Sequence, residues 1–425
     1  MRFVLRVAVA CVLFSSVAVF AQQTPVEPQS TAIPRALTLR EALDLLSQRS
    51  PALLAEAQSV VSARANIEAA SKLPNPSVIV NSESYPAFSS QPGSVLNNQE
   101  LSGTVSQTIQ TAGKRKKRVE VARQALLVAG SNLKNFQRQL DVELKQRYWS
   151  AALASSQANL ARLMLSQFDD TLRLNEERFK QGEISGLERT RLQTERLRFW
   201  NDVQQADLDL KNAKSSLLEL LAAPQDTQFD VADPLVTSAP HLSLQELTDE
   251  ALVSRPDFVA QQQTVDQQGR EVSYQKSLAI PDITVAAGYK RNFGVDSPVL
   301  NVQVPLPIFN RNQGGVHGAE AQLERARRLL DKQRLQVERE VKQATDTLAT
   351  QQLRAEEISR TYAPQSQRAL DIALQSYRLG SLDLLQLLDA ERVYRDTQRT
   401  ANQAYFDLHI AESSLEAAIG KESIQ

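Results

Sequence analysis

The chain carries one succession of segments twice. Leu39-Arg40-Glu41 through Pro51 is matched by Leu244-Gln245-Glu246 through Pro256, a shift of 205 positions. The same shift carries Pro76, Val78 and Val80 onto Pro281, Ile283 and Val285. Farther on the register slips to 197, setting Val105 and Ile109 opposite Val302 and Leu306. Gln181-Gly182-Glu183-Ile184 then falls opposite Leu379-Gly380-Ser381-Leu382. Two copies of one order of elements fold as two copies of one supersecondary unit. Across 425 residues a repeat pair this long predicts one intertwined body rather than a string of separate domains.

The address comes from the N-terminus. Arg2 and Arg6, the apolar run from Val4 to Phe20, and Val19-Phe20-Ala21 read as a secretory signal over residues 1–21, cleaved before Gln22. Cys11 lies inside that run, so the mature chain is expected to have no cysteine, no disulfide and no thiolate chemistry. No later stretch reaches the roughly 20 apolar residues of a membrane helix. A secreted chain of this kind is either soluble in the periplasm or a β-barrel in the outer membrane. A formal net charge of −1, with acids and bases interspersed, makes no electrostatic case for nucleic acid. Scarce aromatics beside abundant Gln, Ala and Leu fit long packed helices.

Residues 22–37 read as a flexible leader. Repeat 1, residues 38–221, opens with Thr38 capping a short helix and Glu41 completing a capping box. Pro51 starts a second helix of about 24 residues, stopped at Pro74-Asn75-Pro76. In repeat 2, residues 243–420, Ser243 with Glu246, then Pro256, then Pro281 restate cap, start and stop. A linker at 222–242 holds Pro224, Pro234 and Pro240 and is expected outside the main body at its waist; residues 421–425 are a tail. After each stop the period changes to two. Leu101, Val105 and Ile109 face away from Ser102, Thr104, Ser106 and Thr108; Leu300, Val302, Val304 and Leu306 alternate with Asn301 and Gln303. Ile283, Val285, Ala287 and Tyr289 alternate likewise, and Val78 and Val80 start a strand toward Tyr85. These hairpins, at about 77–110 and 282–309, have strands of about ten residues, the length of a tilted strand crossing a bilayer. A soluble sandwich fails on strand count. Pro305 and Pro307 close the last strand.

Long helical hairpins follow at 114–221 and 312–420. Leu126, Ala129, Leu133, Phe136 and Leu140 step by three and four, as do Ala319, Leu323, Ala326 and Leu330. Val203 to Leu220 and Ala404 to Ala418 do so on the return helices, an alanine-rich seam that lets helices approach closely. At about 1.5 Å per residue, each outgoing helix spans roughly 100 Å. The shorter helices of each repeat add up to nearly that length, so two stacked end to end run beside each long one. Four strands leave two unpaired edges, which a bilayer does not tolerate, so the barrel closes between chains. Two chains would make eight strands with a filled interior, three would make twelve around a lumen, and three is the number expected.

Ser106-Gln107-Thr108-Ile109-Gln110-Thr111-Ala112-Gly113-Lys114-Arg115 enters the first long helix, and Pro305-Leu306-Pro307-Ile308-Phe309-Asn310-Arg311-Asn312-Gln313-Gly314 enters the second. With the repeat and the signal segment, these motifs resemble the TolC family of outer-membrane efflux proteins over nearly all of the mature chain, in its CzcC-like, heavy-metal flavour. The resemblance implies a mainly α, tandem-repeat outer-membrane factor with a small β part. It implies a homotrimer with a twelve-stranded barrel in outer-membrane lipid above a periplasmic tunnel of antiparallel coiled-coil helices. Partners would be a periplasmic adaptor (membrane fusion protein) and an inner-membrane pump, expected to be of RND type, and no cofactor or nucleic acid.

No catalytic constellation is present. His241, His317 and His409 are single and widely separated, without the spacing that sets two ligands on one metal, and Met164 is the only methionine beyond the signal segment. Attention passes to two turns, Gln181-Gly182-Glu183-Ile184-Ser185 and Leu379-Gly380-Ser381-Leu382-Asp383, where glycine meets the positive φ of a helix end and the next Ser or Glu can start the return helix. The resemblance makes these turns the sealed tunnel entrance and adaptor dock: Gly182, Glu183, Ile184 and Ser185, with Gly380, Ser381, Leu382 and Asp383. It also sets Asp389 at a carboxylate ring of the constriction, where three like charges would favour cations. The companion carboxylate is replaced by Gln386; counted from the glycine, Glu188 and Arg191 are the first-repeat equivalents of Gln386 and Asp389. The expectation is a passive export duct without enzymatic activity, for heavy-metal cations, with drug efflux or type I protein secretion as alternative cargoes. A soluble adaptor would need one hairpin and a lipoyl-like module, and a periplasmic enzyme would need a nucleophile, base or metal cluster.

Overall fold

The structure is a computed structural model that describes residues 33–83, 100–234, 243–292 and 295–421. The signal segment, most of the leader, Tyr85, His241, part of the linker and the end of the tail lie outside the described residues. Helices begin where the chemistry of capping puts them. Thr38 Oγ1 accepts from Glu41 N–H at 3.3 Å while Thr38 N–H donates to Glu41 Oε2 at 2.9 Å, opening α1 (Leu39–Arg49). Ser50 caps α2 (Pro51–Ser71), and Ser243 caps α5 (Leu244–Ser254). Proline occupies the first turn of both α2 and α6 (Pro256–Leu278), where its missing N–H costs nothing. α2 closes three residues before the first proline of Pro74-Asn75-Pro76, so it is shorter than expected.

Each repeat then supplies a strand pair: β2 (Ser77–Glu83) with β3 (Glu100–Ile109), and β5 (Ile283–Asn292) with β6 (Val295–Gln303). The two hairpins join through an antiparallel β3–β5 pairing, giving one four-stranded sheet in the order β2-β3-β5-β6. Gly288 belongs to that seam: a Cβ there would stand 2.1 Å from the carbonyl oxygen of Gly103. Register sorts the sheet's faces. Val78, Val105, Ala287 and Leu300 stand in one row, and Val80 and Tyr289 in the next, on one apolar face. Ser77, Ser106 and Asn301, and Asn81, Ser102 and Lys290, lie on the other. Hydroxyls couple across that polar face, Ser77 Oγ to Ser106 Oγ at 2.7 Å and Thr108 Oγ1 to Thr284 Oγ1 at 3.1 Å. Pro298 lies within β6, an edge strand, where its absent N–H leaves one side of the ladder intact.

α3 (Lys114–Lys180) is one unbroken helix that returns as α4 (Gly186–Leu220). In repeat 2 the outgoing rod is α7 (Gln313–Glu357) and α8 (Ala363–Arg378), joined by a π-helical turn at Ile358–Tyr362, and α9 (Leu384–Ile419) returns. Pro364 explains the turn. It has no N–H for the Arg360 carbonyl, and its ring would collide with it. The helix absorbs one extra residue, and Ala363 N–H bonds five residues back to Ile358. α3 packs against α2 and α4 on its own repeat and against α6 and α9 of the other, and α6 and α9 in turn pack on α7. Among the described residues no helix is long and apolar enough to cross a membrane.

The leader is ordered at its end, contrary to the expectation of a flexible segment through residue 37. β1 (Ala36–Leu37) pairs in parallel with β4 (Asp230–Val231) of the linker. Leu37 is fully buried, and Tyr148 Oη on α3 donates to its carbonyl at 2.9 Å and to Asp233 Oδ2 at 2.6 Å. Two long-range strands therefore fasten the waist, which no local pattern announces. Near them Arg255, 2 % exposed, bonds Asp257 and Glu340, each at 2.7 Å, and donates to the Ala418 carbonyl. Repeat 1 has Ser50 at that position, so here the two copies differ in kind.

Candidate functional site: the glycine turns at the helix tips

Both long hairpins reverse through the same hydrogen-bond pattern. Gly182 has φ +76° and Gly380 φ +75°, the left-handed conformation that a Cβ disfavours. Glu183 N–H reaches back to Arg178 C=O at 2.9 Å, and Ser381 N–H to Ser376 C=O at 2.9 Å. Gly182 N–H bonds Phe179 C=O at 3.0 Å and Gly380 N–H bonds Tyr377 C=O at 3.1 Å. These are paired six-to-one and five-to-two closures that satisfy the last helical carbonyls. The return helices start on Ser185, whose Oγ accepts from Glu188 N–H at 3.1 Å, and on Asp383, whose Oδ1 accepts from Gln386 N–H at 2.8 Å. Gln386 answers with a bond from Asp383 N–H, so its amide is a cap. Glu183 and Ser381 do not start the return helices; the caps sit two residues farther on, because the glycine closure uses the intervening positions. Ile184 and Leu382 are half-buried between turn and helix.

The constriction candidates fall on two helices. Asp389 is exposed, its side chain 62 % accessible, and it pairs with Arg392 Nη2 at 2.7 Å one turn along. Glu188 is half-buried and Arg191 exposed on α4, whereas Gln386 and Asp389 are on α9.

Sequence reasoning missed the contacts that join the tips. Asn175, wholly buried on α3, accepts from Tyr377 Oη at 2.6 Å and donates to Thr171 C=O at 2.8 Å. Burial pushes the Tyr377 hydroxyl above its ordinary pKa. Arg178 extends across to the second turn, donating to Arg378 C=O at 2.9 Å and lying 5.4 Å from the Tyr377 ring centre. A polar Asn at an inward position of an apolar heptad is the signal that could have found this pair. Beneath it Phe168 and Phe199 stack at 4.7 Å in a core shared by α3, α4, α8 and α9. Farther up, His409 stacks on Trp149 at 3.5 Å and its Nδ1 meets Glu412 at 3.1 Å. Among the described residues no three His, Cys, Asp or Glu side chains gather as metal ligands.

The comparisons with known proteins agree on one fold. The chain is 25 % identical over 372 residues to the cobalt-zinc-cadmium resistance protein CzcC of Cupriavidus metallidurans, covering 87 % of this chain and 86 % of that protein. A crystal structure of CusC superposes with a TM-score of 0.73 at 20 % identity, over 90 % of this chain and 92 % of that one. The open state of the Neisseria gonorrhoeae MtrE outer membrane channel superposes with a TM-score of 0.74 at 18 % identity, over 92 % and 91 %. Residues 42–223 and 247–421 match the family described as outer membrane efflux protein, and the chain belongs to that family.

Proposed function

We propose that three copies of this chain form a passive export duct for divalent metal cations, with the glycine turns as its periplasmic docking end. The observation that carries the duct is the sheet: three strands of nine or ten residues and β2 of seven, apolar on one face, polar on the other, with β2 and β6 its edges among the described residues. Three such sheets give twelve strands, enough for a lumen, with the polar hydroxyl face inward. The tips at Gly182–Ser185 and Gly380–Asp383 are the most distal part of the rods and present the exposed Leu187, Leu379 and Leu385. A periplasmic adaptor seated there would couple the duct to an inner-membrane pump, expected to be of RND type. Metal cargo follows from the likeness to a cobalt-zinc-cadmium resistance protein over most of both chains.

Deleting the gene in its host and titrating cobalt, zinc and cadmium tests the cargo. Hypersensitivity restored by the wild-type gene is expected; unchanged metal tolerance with increased drug sensitivity would replace metals by drugs. Replacing both Gly182 and Gly380 with valine should abolish complementation and adaptor crosslinking, while membrane insertion persists. Each valine strains a left-handed residue by on the order of 1 kcal/mol or more. Full complementation by the double variant would remove the docking role from these turns.

A further inference from the structure

Glu391 sits about half a turn beyond Asp389 on α9 but faces inward, 5 % exposed. It occupies a core step between Leu387 and Tyr394. Neither carboxyl oxygen has a hydrogen-bond partner among the described residues. Arg395, one turn on and itself buried, does not close on it. Its guanidinium stands 3.6 Å from Asp202 of α4 and 3.6 Å from Asp396, with the Phe199 ring at 5.9 Å, and its Nε also lacks a hydrogen-bond partner. From α4, Glu195 faces Glu391 with a like charge, and Arg198 approaches Glu195 at 4.0 Å. α8 brings Leu370 and Tyr377 to this core and α3 brings Met164 and Phe168; Asp371 of α8 acts on Tyr394. Burial above all, then Glu195, push the Glu391 carboxyl up against the pull of Arg395, to about 7. Counted from the glycines, repeat 1 has Gln193 and Leu197 in these places, both exposed, so the arrangement is confined to repeat 2.

A buried carboxyl without partners is tolerated as the neutral acid and expelled as the anion. Arg395 Nε, one turn away and without a hydrogen bond, offers the anion a second place to go beside Asp396. We propose that Glu391 is a proton-controlled latch of the tip: neutral, it packs α9 against α4 and α8, and ionised, it loosens that seam. Its meaning for passage rests on the tips being the movable end, but the latch itself does not require docking or transport. The direction follows from linkage. A carboxyl that holds its proton more tightly in the closed tip contributes stability fully below its ordinary value of 4.5, and that stability is lost as pH rises toward about 7. Within that window local opening becomes about tenfold easier per pH unit.

Hydrogen–deuterium exchange on the full-length protein in detergent micelles, corrected for intrinsic amide rates, reads this without adaptor or pump. Protection of residues 384–400 and 192–203 should fall about tenfold per pH unit from pH 4.5 to 7 and then level, with α5 at the waist unchanged as reference. Glu391→Gln should be flat across the same range and protected like the wild type at low pH. Glu195→Gln, which removes the like charge, should bring the levelling to lower pH. Equal slopes in wild type and Glu391→Gln, or a flat wild type, overturn the latch. Should Glu391→Gln fail to fold, an unmoved plateau in Glu195→Gln overturns it instead.

Discussion

At the scale of single residues, the charge at the proposed constriction is set by a neighbour as much as by Asp389 itself. Arg392 holds Asp389 at 2.7 Å, and both side chains are more than half exposed. An exposed pair of this kind adds little stability, about 0 to 1 kcal/mol, so either residue can be changed without harming the fold. Asp389→Asn should lower the cation selectivity of single channels in planar bilayers, and Arg392→Gln should raise it by freeing the carboxylate. Asp396, near Arg395 and two turns along, is the comparison: Asp396→Asn should leave selectivity unchanged. If Asp389→Asn and Asp396→Asn behaved alike, the constriction would have to lie elsewhere.

At the scale of elements, one buried cation joins three helices at the waist. Arg255 ties the start of α6 to α7 through Glu340 and to the end of α9 through the Ala418 carbonyl. Burial alone would raise the pKa values of Asp257 and Glu340, but Arg255 with Arg138 at Asp257, and the Gln336 amide with Arg255 at Glu340, outweigh it and hold both below the usual carboxylate range. Stability from these depressed carboxyls is present above about pH 4 and is lost as pH falls through their lowered values. Arg255→Met should therefore cost about 1–3 kcal/mol at neutral pH, because two half-buried carboxylates lose one charged partner while Asp257 keeps Arg138 and Glu340 keeps Gln336. Thermal unfolding followed from pH 7 to pH 3 checks both statements. The wild type should lose stability on acidification, and the variant should lose less, since Arg255 no longer holds the two carboxyls down. A variant as stable as wild type at pH 7 would show that the network contributes nothing net.

For the whole molecule, the open question is closure. Among the described residues, β2 and β6 each present an unpaired edge at the ends of a sheet whose apolar face is exposed at Val78, Val80, Leu300 and Val302. Open edges are not viable in hydrocarbon, which favours the proposed pairing between chains. Cysteines placed one on each edge, Asn81→Cys with Asn301→Cys, should crosslink chain to chain and build a ladder that stops at three protomers. A ladder ending at two would give an eight-stranded barrel without a lumen and exclude the duct.

Much of this architecture is written locally. Thr38 with Glu41, Ser243, Pro51 and Pro256 mark helix starts because capping depends only on residues three or four apart. Gly182 and Gly380 mark the reversals because the positive φ belongs to one residue, and strand faces follow from a period of two. The sequence also set the repeat, and with it the family. Other features were decided only in three dimensions. The β3–β5 pairing, the Leu37 strand against Asp230 and the reach of Tyr377 to Asn175 join residues about 170 to 200 positions apart. Their partners are chosen by which helix faces pack together, and no local period encodes that choice. Glu391 shows the limit most clearly. Its type reads as a solvated helix face, and only the packing of four helices around it leaves the carboxyl buried and without a partner. Local chemistry determines what each segment is, whereas burial, which determines what a charge costs, is a property of the assembled neighbours.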